Sequence, residues 1–348
     1  MKYLLCILCG LTLFSCINRA DIYFKRGDYK NASNDFNAAI IEFNKGLEID
    51  SNHIRCIVGR GISKSNLWDF EGAIEDYNLA IKKDPTVGAA HYYKGFAKMM
   101  MGNDIEAIKD YTKAIEVEPD KAEYYWERAQ SKNTLERYGE AIEDLDKALA
   151  IDSLNPDILL ERAQTKQKLD EYSSAFEDLD KAIEIQPDHK YALMARAFLY
   201  SEIDLFNASI EDFSTIIRYN DRDADAYFSR GLIYLKIRKM NLAIEDFSRS
   251  IELSPQIGRG YYALGKAMYI MENYQDADNL LQMAVDKNFR QDDALFFWGL
   301  TKNRLGNYKK ACEYLQEACE MGMDEACDSL QLIDCDKPTK FLMDNHSL

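Results

Sequence analysis

The stretch Ala73-Ile74-Glu75-Asp76-Tyr77, followed by Ala80 and Pro85, decides the architecture. It returns 34 residues later as Ala107-Ile108-Lys109-Asp110-Tyr111, with Ala114 and Pro119 at the same offsets. It returns again from Ala141, Ala175, Ser209, Ala243, Ala277 and Ala311, and once upstream from Ala39. Nine blocks of 34 therefore fill 20–325 without insertion, starting at 20, 54, 88, 122, 156, 190, 224, 258 and 292. A fixed period of this size marks one supersecondary unit stacked on itself, not two globular domains.

Within a block the apolar spacing is helical. Ala73, Tyr77, Ala80 and Ile81 lie at offsets 0, 4, 7 and 8, one stripe of one helix face. Position 8 is small throughout: Gly27, Gly61, Gly95, Ala129, Ala163, Ala197, Gly231, Gly265 and Gly299. Position 24 is large, as in Phe43, Tyr77, Tyr111, Leu145 and Phe247. Small residues at 8 and 20 let the two helices of a block approach, and the large residue fills the space toward the next block. Pro85, Pro119, Pro187 and Pro255 end their blocks, because proline cannot continue a helix. No block buries its own stripe, so neighbours must stack.

A small residue at 8, Ala at 20, an aromatic at 24, Ala at 27 and Pro at 32 resemble the tetratricopeptide repeat family over nearly all of the chain beyond residue 19. The resemblance implies an all-α fold: a right-handed superhelical solenoid of nine antiparallel helix pairs, with a capping helix at 324–335 and a tail at 336–348. The pattern departs at position 32 in Ser51, Ser153, Asp221, Phe289 and Met323, and at position 27 in Gly46, Ile216 and Ser250.

The chain opens MKYLLCILCGLTLFSC. Lys2 precedes an apolar run from Leu4 to Phe14, 11 residues long, too short to cross a bilayer of about 30 Å as a helix. It fits the apolar region of an export signal over 1–15. Leu13-Phe14-Ser15-Cys16 resembles the bacterial lipoprotein lipobox, with Phe14 bulkier than that motif usually carries. The resemblance implies cleavage before Cys16, lipidation of its thiol and anchoring in a membrane of the cell envelope, the outer membrane first, on its periplasmic or surface face. Residues 16–19 leave a tether of roughly 10 Å at most. A plain secretory signal with an unmodified thiol is the other reading.

The 348 residues carry 43 basic and 59 acidic side chains, a formal charge of −16 with pI near 4.8. Phosphate-backbone binding needs clustered Lys and Arg, so a nucleic-acid partner is not expected, nor is docking on anionic lipid by charge. Four histidines leave little for metal or acid–base sites. His53 and His189 share position 34, four blocks apart, and His91 sits at position 4. No H-E-x-x-H, P-loop, G-x-S-x-G or G-x-G-x-x-G occurs. The Glu-Asp pairs at 75–76, 143–144, 177–178, 211–212 and 245–246 recur at one position, which reads as a solvated face or helix–loop hydrogen bonding. No enzyme activity, metal or cofactor is expected.

Cysteines gather at the far end as Cys312, Cys319, Cys327 and Cys335, spaced 7, 8 and 8 on one helix face. With a turn at Met321-Gly322-Met323, a hairpin pairs residues that share its midpoint: Cys319 with Cys327, and Cys312 with Cys335. Two disulfide rungs are expected. Four buried thiols are the alternative, and zinc lacks its C-x₂-C spacing. The segments around Cys312, Cys319 and Cys327 also resemble Sel1-like repeats, whose exported members bridge such hairpins. Cys56 stands alone.

The family resemblance implies that positions 2, 5, 9 and 12 of the first helix line a concave groove. Position 5 is apolar throughout: Phe24, Val58, Tyr92, Trp126, Leu160, Met194, Phe228, Tyr262 and Phe296. Position 9 adds Ile62, Phe96, Phe198, Leu232 and Leu300, with Gln130, Asn133, Gln164, Gln167 and Asn303 as polar company. The groove candidates are Tyr92, Phe96, Trp126, Gln130, Phe198, Phe228, Leu232, Tyr262 and Phe296. Such a track suits an extended peptide or a helix. Position 5 packing between neighbouring first helices is the competing reading. No Lys stands at position 5, so the family's chaperone-tail clamp is not supported. The expected function is an exported, lipid-anchored scaffold binding protein in secretion or envelope assembly; a carbohydrate-binding accessory lipoprotein is the alternative, since aromatic rows also stack sugars.

Overall fold

The computed structural model describes residues 19–333 and Cys335. The expected leader 1–15, Cys16 and the tail 336–348 lie outside the described residues. Among the described residues there are 19 α-helices and no strand.

The chain divides into two bodies. The first, ending at Ile185, holds α1 (Arg19–Ala32), α2 (Phe36–Ile49), α3 (Ile54–Asn66), α4 (Phe70–Lys83), α5 (Gly88–Met100), α6 (Asp104–Val117), α7 (Ala122–Thr134), α8 (Tyr138–Ile151), α9 (Pro156–Gln167) and α10 (Tyr172–Ile185). The second, from Gln186, holds α11 (Lys190–Glu202), α12 (Phe206–Tyr219), α13 (Ala224–Lys236), α14 (Met240–Leu253), α15 (Gly258–Ile270), α16 (Tyr274–Asp286), α17 (Gln291–Arg304), α18 (Tyr308–Glu320) and α19 (Asp324–Leu332). Odd helices up to α17 are the first of each pair. Within each body a first helix packs on its own second helix, which packs on the next first helix.

Local chemistry sets the boundaries. Asp35 and Asp69 cap α2 and α4 by accepting from the amides of Ala38 and Gly72. His53 and His189 do the same for α3 and α11 through Nδ1, accepting from Cys56 and Ala192. Both histidines are therefore caps, which satisfy amides that have no partner inside their helix. Between the helices of a pair, position 15 turns left-handed. Asn34, Glu136, Asp170, Asp204 and Arg238 all lie at φ 58–59°, and Gly102 and Gly306 at 76–77°. Trp68 takes φ 65° there, an uncommon state for a bulky residue, and is exposed.

Position 24 explains position 8. A Cβ placed on Gly61 would sit 2.5 Å from the Tyr77 ring, so the ring packs directly on the first helix of its own pair. The Phe43 ring reaches both Gly27 of its own repeat and Gly59 of the next, so one side chain joins three helices. Position 24 thus packs within its own pair as well as toward the next block.

A polar clasp repeats with the same regularity. Arg128 donates Nε and Nη2 to the two carboxylate oxygens of Asp144 at 2.8 and 2.6 Å, and Nη1 to Thr112 of the preceding repeat at 2.9 Å. Lys132 adds a contact to Asp144 at 2.7 Å. The bidentate pair recurs in Arg60–Asp76, Arg162–Asp178, Arg196–Asp212 and Arg230–Asp246, with Lys94–Asp110 as the lysine version. These aspartates are buried. The second members of the Glu-Asp pairs are therefore not a solvated face: a cation sixteen residues upstream takes each one into the helix–helix interface. The glutamates beside them are exposed.

The last pairs differ. Leu264 and Leu280 stand at the clasp positions of α15 and α16, and Trp298 stacks on Tyr314 at 4.0 Å in α17 and α18. Cys312 is bonded to Cys335 and Cys319 to Cys327, the pairing that the hairpin midpoint gives. α19 closes the end, with Ala326 and Ile333 in the core cluster under Trp298 and Leu315.

Candidate binding surface

Positions 5 and 9 of the first helices fall on one face, one turn apart. In the first body this face is rich in aromatic rings that hold each other. Tyr92 stacks on Tyr124 at 4.8 Å and lies 5.0 Å from Tyr93. Burial, then the nearby Glu127 carboxylate, push its phenol above the ordinary range. Phe96, Trp126 and Gln130 are half-buried, and the Trp126 Nε1 is buried with no hydrogen-bond partner among the described residues. Val58 is core. Asn133 spends both amide bonds inside the fold, donating at 2.8 Å to Glu161 and to Thr165.

Glu127, beside the clasp residue Arg128, has no cation of its own among the described residues. One of its carboxylate oxygens is buried without a partner. Burial, reinforced by the Glu161 carboxylate, pushes its acid up to about 7.

In the second body the face opens. Phe198 is 43% exposed and Leu232 39% exposed. Phe198 meets Phe213 edge-on at 5.4 Å, and Phe228 leans on Phe247 at 5.8 Å beneath the Arg259 guanidinium at 4.7 Å. Tyr262 is half-buried against Phe289 and Phe297. Two sequence expectations are corrected here. Phe296, expected to line the groove, is 3% exposed and belongs to the core cluster under the cap. Asn303, expected to offer its amide, is buried as well. Phe296 shares its cluster with Ala326 of α19 and with Ile333, which takes it away from solvent.

The groove candidates thus separate into rings committed to packing, such as Tyr92, Tyr262 and Phe296, and side chains that solvent reaches, chiefly Phe198 and Leu232. Among the described residues no group of three or more His, Cys, Asp or Glu is placed to hold a metal ion. No described helix is long and apolar enough to cross a membrane. Composition and spacing did not single out the clasp; its signal was Asp at position 23 with Arg or Lys sixteen residues earlier.

Paired helices repeating on one plan, joined by tight turns and presenting one side-chain face, define a helical-repeat protein. Tetratricopeptide repeat models match at 20–53, 106–156, 156–189, 224–257 and 293–321. The chain belongs to the tetratricopeptide repeat family. No curated protein matches it. Among solved structures it is similar to a tetratricopeptide repeat protein from Parabacteroides merdae, with a TM-score of 0.55, 20% identity, 71% of this chain and 98% of the other covered. The C-terminal part of a repeat protein from Cytophaga hutchinsonii gives 0.55 and 20% identity, covering 69% and 99%. PilW, a type IV pilus biogenesis factor, gives 0.52 and 22% identity, covering 60% and 98%. At these identities the likeness is one of fold.

Proposed function

We propose that the chain is an exported, lipid-anchored repeat scaffold that holds a segment of another protein and serves secretion or assembly in the cell envelope. The carrying observation is the solvent-reached apolar pair Phe198 and Leu232 on equivalent positions of consecutive first helices, α11 and α13. Apolar side chains one repeat apart, flanked by the Arg259-covered Phe228 ring, suit alternate side chains of a bound segment. Export is supported by the Leu13-Phe14-Ser15-Cys16 sequence and by two disulfides, which persist in oxidising compartments. A glycan ligand has less support, since sugars stack on open ring faces and the Trp126 and Tyr92 rings are half-buried, Tyr92 against Tyr124.

Crosslinking in cells followed by mass spectrometry tests the reading. Phe198→Asp with Leu232→Asp should cut capture of the crosslinked protein at least tenfold while far-ultraviolet circular dichroism stays unchanged. Capture at wild-type level would place the partner elsewhere. Cys16→Ser should abolish labelling by a radioactive fatty acid; labelling that persists removes the anchor from the proposal.

A further inference from the structure

The first helix differs from every later first helix at the positions that face a preceding repeat. Position 10 is Ser63, Ala97, Ser131 and Thr165 in the next four repeats, all buried. In α1 it is Tyr29, 71% exposed. Position 3 is buried as Cys56, Ala90, Tyr124 and Ile158, but Ile22 is 41% exposed. Position 6, Gly59 in the second repeat, is the exposed Lys25. The ring at position 10 has no room beneath a stacked repeat that packs as the later ones do, where that position is Ser63, Ala97, Ser131 or Thr165. An end built only for solubility would be polar throughout. This one keeps Ile22 and Tyr29 on the surface.

Ile22, Lys25, Arg26, Tyr29 and Lys30 follow at helical spacing on one face of α1 and, with Glu42 of α2, line an open cavity of about 470 Å³. Three cations, Lys25, Arg26 and Lys30, meet two carboxylates there, Glu42 and Asp35, and Lys25 is left in excess. Arg26 lies 3.9 Å from Glu42, and Lys30 pairs with Asp35 at 3.2 Å. The chain as a whole is strongly acidic, so this face of α1 is a local excess of positive charge. Cations interleaved with an aliphatic side chain and a tyrosine on one helix face make the surface of a helix that lies in a membrane interface.

We propose that the exposed face of α1 docks flat on the headgroups of an anionic phospholipid bilayer. The inference rests on the lipid-anchor reading: Cys16 stands three residues before Arg19, so an acyl group there brings this face to the bilayer. Opposite charge supplies the attraction, Ile22 and Tyr29 supply apolar contact, and the acidic remainder is repelled from the same surface.

The full chain, purified in detergent and reconstituted into vesicles, tests the docking. Amide hydrogen exchange over 19–32 should slow about tenfold in phosphatidylcholine vesicles containing phosphatidylglycerol, relative to phosphatidylcholine alone, and high salt should reverse it. The combined variant Lys25→Glu, Arg26→Glu, Lys30→Glu should lose that protection, and Tyr29→Ser should lose part of it, with unchanged helicity. Equal exchange in both vesicle types overturns the proposal. So does protection that survives the charge reversals, or that appears in detergent and grows with protein concentration, which would mean a second copy covers the face. Intact mass reports the acyl groups separately, so an unacylated chain would count against the anchor without deciding the exchange comparison.

Discussion

The middle repeats and the last two solve one packing problem in opposite ways. Where the two helices of a pair meet, α7 and α8 bury Asp144 under Arg128 and Lys132, whereas α15 and α16 place Leu264 against Leu280 and α17 and α18 stack Trp298 on Tyr314. A buried ion pair adds little net stability, since desolvation offsets most of the attraction, but breaking one half is costly. It gives a one-to-one match between a fork-shaped donor and a carboxylate, which fixes the register of one helix on the next. Apolar pairs pack without that directionality, and the two disulfides fix the chain beyond the last pair, tying α19 and Cys335 to α18.

The largest effect comes from breaking one clasp. Arg128→Ala leaves Asp144 buried with one cation fewer and should cost about 3 kcal/mol or more in urea unfolding. Grafting the apolar solution of the eighth repeat, Arg128→Leu with Lys132→Met and Asp144→Leu, should stay within about 1.5 kcal/mol of the parent. A graft as damaging as the single change would mean that the clasp is itself a net source of stability.

Removing the staple comes next. Cys312→Ser with Cys335→Ser should cost about 2–4 kcal/mol, seen as faster amide exchange over 291–332 and not over the clasped helices. Equal loosening throughout would tie the two regions together more closely than the comparison allows.

The smallest effect belongs to Glu127, a half-buried acid that lacks the cation its neighbouring helix position supplies to Asp144. Its folded acid sits at about 7, above the 4.5 of a free side chain. The folded state therefore holds the proton more tightly, and stability from this group is full below the free value and lost as pH rises through the folded value. Glu127→Gln should raise the melting midpoint above neutral pH, by roughly 1–3 kcal/mol of stability, and change nothing in acid. An unchanged pH slope would assign it to other groups.

Much of this was legible in the sequence because a 34-residue period repeats each packing rule nine times. The helix pairs, the small-against-large match of Gly61 with Tyr77 and the two bridges follow from spacing. Burial was less legible. Position 5 is apolar in every repeat, yet Val58 and Phe296 are core and Phe228 is only half-buried, a difference that the residue type does not carry. The buried aspartates were hidden for a different reason: they stand beside exposed glutamates, and their partners lie on another helix, sixteen residues away. Net charge likewise averaged away the basic face of α1.

The bridge between Cys312 and Cys335 spans 23 residues and encloses the whole turn at Met321-Gly322-Met323. A protease that nicks this turn does not release a fragment. The severed strands stay covalently tethered through both bridges, so the terminus can be cut without being shed.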